Sequence, residues 1–219
     1  MLSDLLPRLL DGAVITGQLA LGGTLIALPL SLLFGIGRRS RSRALRILSS
    51  SYVELFRGTS ALIQLYWVYF ALPMLGVRID ALSAGMVVLG CNAGAYGAEV
   101  VRGAIAAVPR GQWEAGAVLG LSRSVTLWRI VLPQALPHSL PPLNNVVIEL
   151  LKNTALASMI TLSDLTFEAQ TLRAATLRTT EIFLLLLALY FAMSLVITVT
   201  FRWLERASLN LLGLERAPP

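Results

Sequence analysis

Long apolar runs separated by short charged segments dominate the chain. A helix needs about 20 apolar residues to cross a bilayer, and uncharged runs of that length lie within residues 12–37, 58–77 and 182–201. Two more runs, residues 81–107 and roughly 137–162, are as long but carry charges inside them. The pattern therefore predicts five membrane-spanning helices, which we number spans 1 to 5 in chain order.

The segments outside the spans differ in character. Residues 1–12 carry three charges and lack the apolar core of a cleaved signal peptide, so they are predicted to form a short interfacial helix that leads into span 1. Residues 38–58 form a basic amphipathic stretch with six arginines, which we expect on the membrane surface against anionic headgroups. Residues 164–181 are interpreted as a polar connector between spans 4 and 5.

The longest amphipathic interruption is residues 109–133, between spans 3 and 4. One short helix is predicted to start after Pro109 and to end at Gly120, the residue type that most easily takes the left-handed C′ conformation. Ser122 is expected to cap a second helix, which Pro133 is expected to stop. The apolar stripe of the second helix is predicted at Val125, Trp128 and Val131. The loop is thus expected to be a bent helix pair that projects from the membrane and docks into a groove.

Composition supports a membrane protein with little mass outside the bilayer. Of 219 residues, 56% are hydrophobic and only 14% are charged. One cysteine, Cys91, argues against disulfides and Cys–metal clusters, and one histidine, His138, is too few for a typical zinc site. Neither a Walker-type nucleotide loop nor a Ser/His/Asp set occurs. The chain is therefore not expected to be an enzyme or to hold its own cofactor or metal.

The distribution of basic residues predicts the orientation of the chain in the membrane. Thirteen arginines lie on the side reached after spans 1, 3 and 5, against four on the other side. By the positive-inside rule, residues 109–133 and the C-terminus are expected in the cytoplasm and the N-terminus outside. The thirteen are Arg38, Arg39, Arg41, Arg43, Arg46, Arg57, Arg102, Arg110, Arg123, Arg129, Arg202, Arg206 and Arg216.

Charged pairs inside the spans are the sharpest functional clues, because an ionisable group costs about 2.5–3.5 kcal/mol at the centre of a membrane helix. Glu99 with Arg102, and Glu149 with Lys152, are each three residues apart and can meet on one helix face. They are either neutralising pairs that make insertion tolerable or parts of a solute path.

Span 4 is polar on two faces, one with Asn145, Glu149 and Lys152 and the other with Thr154, Ser158 and Thr161. A helix of this kind cannot face lipid on both sides, so we expect it in the middle of the assembly. In spans 2 and 3, Gln64 and Asn92 are either interhelical hydrogen-bond partners or path residues. The candidate path residues are Gln64, Asn92, Tyr96, Glu99, Lys152, Asn153, Thr154 and Ser158.

Residues 109–133, which we call the coupling loop, resemble the EAA loop of the permease subunits of ABC importers. The pattern of that loop is Glu-Ala-Ala, three residues, Gly, nine residues, Ile-x-Leu-Pro. Here the stretch reads EAGAVLG, nine residues, then IVLP, with Gly116 in place of the second Ala. Further stretches, including VELFRGTSALIQLYWVYFALP and LLKNTALAS, are similar to the polar amino-acid branch, the histidine/arginine/glutamine-type permeases. The loop residues carried over from the resemblance are Arg110, Glu114, Ala115, Gly120, Ile130, Leu132 and Pro133.

The resemblance covers nearly the whole chain, residues 1–219, as one permease domain of the type I ABC importer fold, all-α with five spans. It implies a bacterial inner-membrane subunit of an amino-acid importer that dimerises with a second permease. Its solute would come from an extracytoplasmic binding protein, and its energy from two ATPase subunits, which bind ATP and Mg, docked on the EAA loops.

Three departures from the family pattern occur at Ser60, Pro137 and Asn153, where Pro, Arg and often Asp are usual. The last weakens the case for a cationic amino acid, whereas Glu99 favours one, so the solute stays open. An ion-coupled secondary transporter and a structural permease subunit without its own solute site are the alternatives. A DNA-binding helix-turn-helix is disfavoured because the loop is anchored between two spans.

Overall fold

The computed structural model describes residues 2–212, and each regular element in that range is helical. The helices are α1 (Leu2–Gly37), α2 (Arg43–Gly58), α3 (Ala61–Tyr66), α4 (Ala81–Ala107), α5 (Arg110–Val118), α6 (Arg123–Thr126), α7 (Leu132–Asn153), α8 (Leu165–Thr176) and α9 (Thr179–Leu212). Irregular turns extend three of them: π-turns at Trp67–Ala71 and Leu127–Val131, and 3-10 segments at Leu72–Leu75 and Thr154–Ile160. The all-α class predicted from the sequence is confirmed. Residues 1 and 213–219, among them Arg216, lie outside the described residues.

Three helices, α1, α4 and α9, are long and apolar enough to cross a membrane on their own. They contain predicted spans 1, 3 and 5. Spans 2 and 4 fall in two bent pairs: α2 with α3 and its turns, bent by 101°, and residues 123–160 with α8, bent by 55°. Counting each bent pair as one span gives five.

Close packing of α1 against α4 forms the centre of the molecule. A Cβ atom built on Gly90 would lie 2.9 Å from the carbonyl oxygen of Gly23, and one on Gly35 would lie 2.8 Å from that of Ala98. Only glycine permits such an approach, as is usual between membrane helices, where small residues let backbones meet. Leu150 and Leu151 of α7 complete the buried cluster on this pair.

The structure extends a prediction at the start of α1 and contradicts one at the start of α7. Residues 2–12 are helical, as predicted, and α1 runs from them into span 1 without a break. The second helix of the coupling loop does not stop at Pro133, which instead lies in the first turn of α7. The ring of Pro133 would clash with the carbonyl of Arg129 in a regular helix. Arg129 lies in the π-turn Leu127–Val131, whose wider winding lets the chain continue.

The polar connector predicted at residues 164–181 is also wrong, because most of it is the helix α8. Asp164 caps that helix by accepting hydrogen bonds from the backbone N–H groups of Thr166 (3.3 Å) and Phe167 (3.0 Å). Its buried residues Leu165, Ala169 and Leu172 pack against Leu5 and Leu9 of α1. The charged residues within the helix, Glu168 and Arg173, are half-buried and exposed, respectively, so α8 is an amphipathic helix of the bundle.

Candidate functional site

A polar groove of about 490 Å³ lies between α4 and α7, closed at one side by the bend between α2 and α3. Cavities of this size hold small-molecule ligands in proteins. On α7, Asn145, Glu149 and Asn153 recur every four residues and therefore share one face. The lining residues are Thr59, Ser60, Ala61, Leu89, Asn92, Ala93, Tyr96, Asn145, Val146, Glu149, Leu150 and Asn153.

The two amides singled out in spans 2 and 3 are hydrogen-bonded to each other. The Asn92 amide N–H₂ donates to the Gln64 Oε1 (3.3 Å) and to the carbonyl of Phe56 (3.0 Å). The Gln64 Nε2 donates to the Thr59 Oγ1 at 2.7 Å. This network fastens α4 to the α2–α3 bend, which favours the interhelical role for Gln64. Asn92 fits both interpretations, because it is an interhelical hydrogen-bond partner and also lines the groove.

Tyr96 lies one turn from Asn92 on α4 and forms a wall of the same groove. The guanidinium of Arg57, at the end of α2, stands over its ring at 5.1 Å from the centroid. A cation–π contact of this kind contributes about 0.5–1 kcal/mol at an exposed site. It orients the Tyr96 ring between α2 and α4, a contact that the sequence analysis missed because the two residues are 39 positions apart.

Glu99 is part of a charge cluster away from the groove. Its carboxylate pairs with Arg102 (2.9 Å between Nη2 and Oε2), as the spacing predicted, and also with Arg38 at the end of α1. The Glu99 side chain is only 21% exposed. Because two guanidiniums already neutralise this carboxylate, Glu99 is poorly suited to bind a cationic solute.

The other predicted pair, Glu149 with Lys152, is present but loose. The Glu149 Oε2 and the Lys152 Nζ are 3.8 Å apart, and both side chains are about two-thirds exposed. Exposed pairs contribute about 0–1 kcal/mol to stability. Glu149 lines the groove while Lys152 flanks it, so this pair lies beside the cavity and not in a buried network.

The second polar stripe of span 4 does not face the groove. Thr154 is fully buried, and its hydroxyl donates to the carbonyl of Leu151 at 2.7 Å. The Ser158 hydroxyl donates to the carbonyl of Ala155, also at 2.7 Å. Both hydroxyls donate to the backbone of their own helix turn, with Thr154 inside the bundle and Ser158 half-buried. Of the eight candidate path residues, the structure brings together Asn92, Tyr96 and Asn153 in the groove, with Lys152 at its edge.

The coupling loop is a bent helix pair whose bend is a Schellman motif. Gly120 has φ +70°, and its N–H donates to the carbonyl of Ala117 at 3.0 Å. The N–H of Leu121 donates to the carbonyl of Gly116, also at 3.0 Å. This is the pair of bonds that ends a helix with a left-handed C′ residue. The Ser122 hydroxyl then accepts from the N–H of Val125 at 3.3 Å and caps α6.

Packing inside the loop explains its departure from the EAA pattern at Gly116. A Cβ atom at that position would lie 2.6 Å from the Oγ1 and 2.7 Å from the Cγ2 of Thr126. Alanine therefore does not fit while threonine fills the space between α5 and α6. The predicted apolar stripe is only partly right, because Val131 is buried but Trp128 is exposed. At the tip, Val118 and Leu119 are 88% and 73% exposed.

The other residues carried over from the resemblance lie on both sides of this bend. Arg110, Glu114 and Ala115 are exposed on α5. Ile130, Leu132 and Pro133 are half-buried where the π-turn joins α7. The loop therefore exposes its first helix, α5, whereas its second helix continues into α7 and the bundle.

The family model described as "Binding-protein-dependent transport system inner membrane component" matches residues 27–209, most of the chain. The chain belongs to this family. A probable amino-acid ABC transporter permease, y4tF of Sinorhizobium fredii, is 43% identical over 208 residues, 92% of this chain and 87% of its own length. The glutamine transport system permease GlnP of Escherichia coli is 36% identical over 203 residues, 92% of this chain and 93% of its own.

A solved structure supports the fold of the permease. The crystal structure of an amino acid ABC transporter with histidines matches 94% of this chain and 96% of that chain, with a TM-score of 0.85 and 32% identity. An inward-facing MetNI methionine ABC transporter has a TM-score of 0.72 at 22% identity and agrees in fold. The type I ABC importer permease fold expected from the sequence is confirmed.

Proposed function

We propose that this permease moves a polar, zwitterionic amino acid through the groove between α4 and α7, driven by separate ATPase subunits. The observation that carries the proposal is the groove itself, whose amides and single carboxylate face a cavity of solute size. Two relatives are described as glutamine and L-cystine permeases, which transport amino acids of this kind. ATP and Mg would be bound by the ATPases and not by this chain.

The charge balance of the groove favours a solute with a neutral side chain. Two arginines hold Glu99 outside the cavity, and Glu149, the one carboxylate that lines it, is paired with Lys152. Asn153 contributes an amide where a carboxylate is often found in the resembling permeases. The amides of Asn92, Asn145 and Asn153 offer both donors and acceptors, which match an amino acid's ammonium, carboxylate and amide groups.

A second permease subunit would cover the open side of the groove. Glu149 and Lys152 belong to the bent pair counted as a membrane span, yet both are about two-thirds exposed in the single chain. Charged groups facing lipid are costly, and membrane proteins turn them toward a protein partner or a water-filled cavity. Dimerisation, with an identical or a related chain, would enclose a path from both halves.

The coupling loop is the proposed contact with the ATPases. Its exposed apolar tip at Val118 and Leu119, held in place by the Schellman bend, suits insertion into a cleft. Because α6 continues through the π-turn into α7, movement of the tip would reach the helix that lines the groove. The arginine distribution supports a cytoplasmic loop and an external N-terminus. An extracytoplasmic binding protein would deliver the solute on the opposite side.

Uptake by the complete complex in proteoliposomes tests the function. A thermal-shift screen on the cognate binding protein first names the solute. Uptake should then require internal ATP, and the Asn153→Asp variant should shift the preference toward amino acids with a cationic side chain. Asn210→Asp, a matched change on the exposed end of α9, should leave it unchanged. Uptake driven by an ion gradient without ATP would contradict the proposal.

A further inference from the structure

An apolar groove of about 750 Å³ runs from the end of α1 to the coupling loop. Leu33, in the membrane-spanning helix α1, is 63% exposed at one end, and Trp128 is 56% exposed at the other. The groove is therefore continuous with the surface that lipid chains touch. Its apolar lining residues are Leu33, Phe34, Ile36, Leu45, Leu48, Ile105, Trp113, Leu127 and Trp128.

A basic cavity of about 730 Å³ adjoins this groove, and the two share Arg39, Arg41 and Arg123 as lining residues. Arg110 also lines the basic cavity, and of the described residues around it only Glu114 is acidic. The guanidiniums therefore lie directly at one end of the apolar groove. This arrangement matches the two parts of an anionic phospholipid, its charged headgroup and its acyl chains.

The positive charge of this cavity is not neutralised within the described part of the chain. Ion pairs there bind Arg38 and Arg102 to Glu99, whereas Arg39, Arg41 and Arg123 form none with the described residues. Arg123 stands over the ring of Trp113, 5.4 Å from the centroid. Burial, followed by repulsion from Arg102 and Arg123, lowers the pKa of Arg39. An anion at this point would relieve the repulsion.

We propose that the two cavities together bind one anionic phospholipid, with its phosphate among Arg39, Arg41 and Arg123 and an acyl chain in the apolar groove. The lipid would bridge the α1–α2 connection and the coupling loop, which no side-chain ion pair joins within the described residues. A soluble acidic segment of a partner protein is disfavoured, since the groove extends to Leu33 inside a membrane span. Basic pockets beside membrane helices bind anionic headgroups in this way.

The tryptophans allow a direct test on the full-length chain. Trp113 and Trp128 line the groove, so Trp67→Phe and Trp203→Phe leave only these two reporters among four. This protein is placed in zwitterionic nanodiscs that contain a small fraction of dibrominated phosphatidylglycerol or dibrominated phosphatidylcholine. We expect the brominated anionic lipid to quench fluorescence more strongly at equal mole fraction. Equal quenching by both lipids would overturn the proposal.

Arginine variants decide whether this preference belongs to the cavity. Removing two arginines with Arg39→Gln/Arg123→Gln should reduce the preference about 30-fold. Arg43→Gln/Arg206→Gln, which removes the same charge outside both cavities, should retain it. Arg39→Lys/Arg123→Lys should keep most of it, and circular dichroism checks that each variant is folded. An equal loss of the anionic-lipid preference in Arg43→Gln/Arg206→Gln would indicate only diffuse attraction to the membrane surface. That result would contradict a lipid site in the cavities.

Competition separates lipid from the other possible occupants. Inorganic phosphate, compared with chloride at equal ionic strength, should not relieve the quenching, since it offers nothing to the apolar groove. Relief by phosphate or by an acidic peptide would overturn the lipid as occupant. The cognate ATPase should bind Arg39→Gln/Arg41→Gln normally, because both arginines lie outside the coupling loop. Loss of ATPase binding with unchanged quenching would assign these arginines to that partner instead.

Discussion

Replacing Gly120 by valine should disrupt coupling while leaving the permease inserted and folded. The residue has φ +70°, a conformation that costs an L-amino acid about 1–2 kcal/mol and a β-branched one at least that. No heavy atom lies within 4 Å of an ideal Cβ there, so the cost is conformational and not a collision. The population of the native bend should fall about 5- to 30-fold.

Loss of the bend would break two hydrogen bonds, from Gly120 to Ala117 and from Leu121 to Gly116, and would redirect the exposed tip. The assay is ATP hydrolysis and solute uptake by the reconstituted complex with its binding protein. Both stimulated hydrolysis and uptake should fall by about the same 5- to 30-fold factor. Because Gly120 is exposed and outside the helix core, the thermal midpoint of the permease should change little.

Two variants control for the position. Gly111→Val lies in the same loop, also has no heavy atom within 4 Å of the added Cβ and has no positive φ, so it should retain coupling. Gly120→Asn should retain most of it, because asparagine tolerates the left-handed region. Normal stimulation of the ATPase by Gly120→Val, or an equal loss in Gly111→Val, would refute the role assigned to the bend.

Three further substitutions test the contacts that hold the site. Gly116→Ala should lower the stability by about 1–3 kcal/mol through its clash with Thr126, measured as thermal unfolding, and Thr126→Ala in the same chain should restore most of it. Glu99→Gln should cost more stability than Glu149→Gln, about 1–3 against less than about 1 kcal/mol, since only Glu99 is a half-buried carboxylate between two arginines. Gln64→Ala should cost about 1 kcal/mol of stability without changing solute preference. A changed preference would indicate instead that Gln64 contacts the solute.

Features set by a few neighbouring residues were predictable from the sequence. The apolar runs located α1, α4 and α9, because hydrophobic length alone decides whether a helix crosses lipid. Gly120 and Ser122 were predictable because a helix end depends on the conformation and hydrogen bonding of one or two residues. Pairs three residues apart on one helix, such as Glu99 with Arg102, follow from helix geometry.

Features that depend on how polar groups are satisfied were not predictable. Thr154 and Ser158 are polar in the sequence, but their hydroxyls bond to carbonyls three residues back and need no partner elsewhere. The helix α8 was overlooked because its charges outweighed the spacing of Leu165, Ala169 and Leu172, which was a readable signal. The π-turn before Pro133 has no comparable signal, since the sequence indicated only a stop.

The arginines near the coupling loop show why charge counting predicts a side of the membrane but not a role. Arg38 and Arg102 neutralise Glu99. Arg57 orients the Tyr96 ring beside the polar groove. Arg39 and Arg123 lie at the end of the apolar groove. All five contribute equally to the positive-inside count. Only their partners distinguish them, and the packing of helices that are distant in the sequence brings those partners together. Neutralising Arg57 should therefore affect transport, whereas neutralising Arg39 should affect lipid binding, even though both changes alter the count by one.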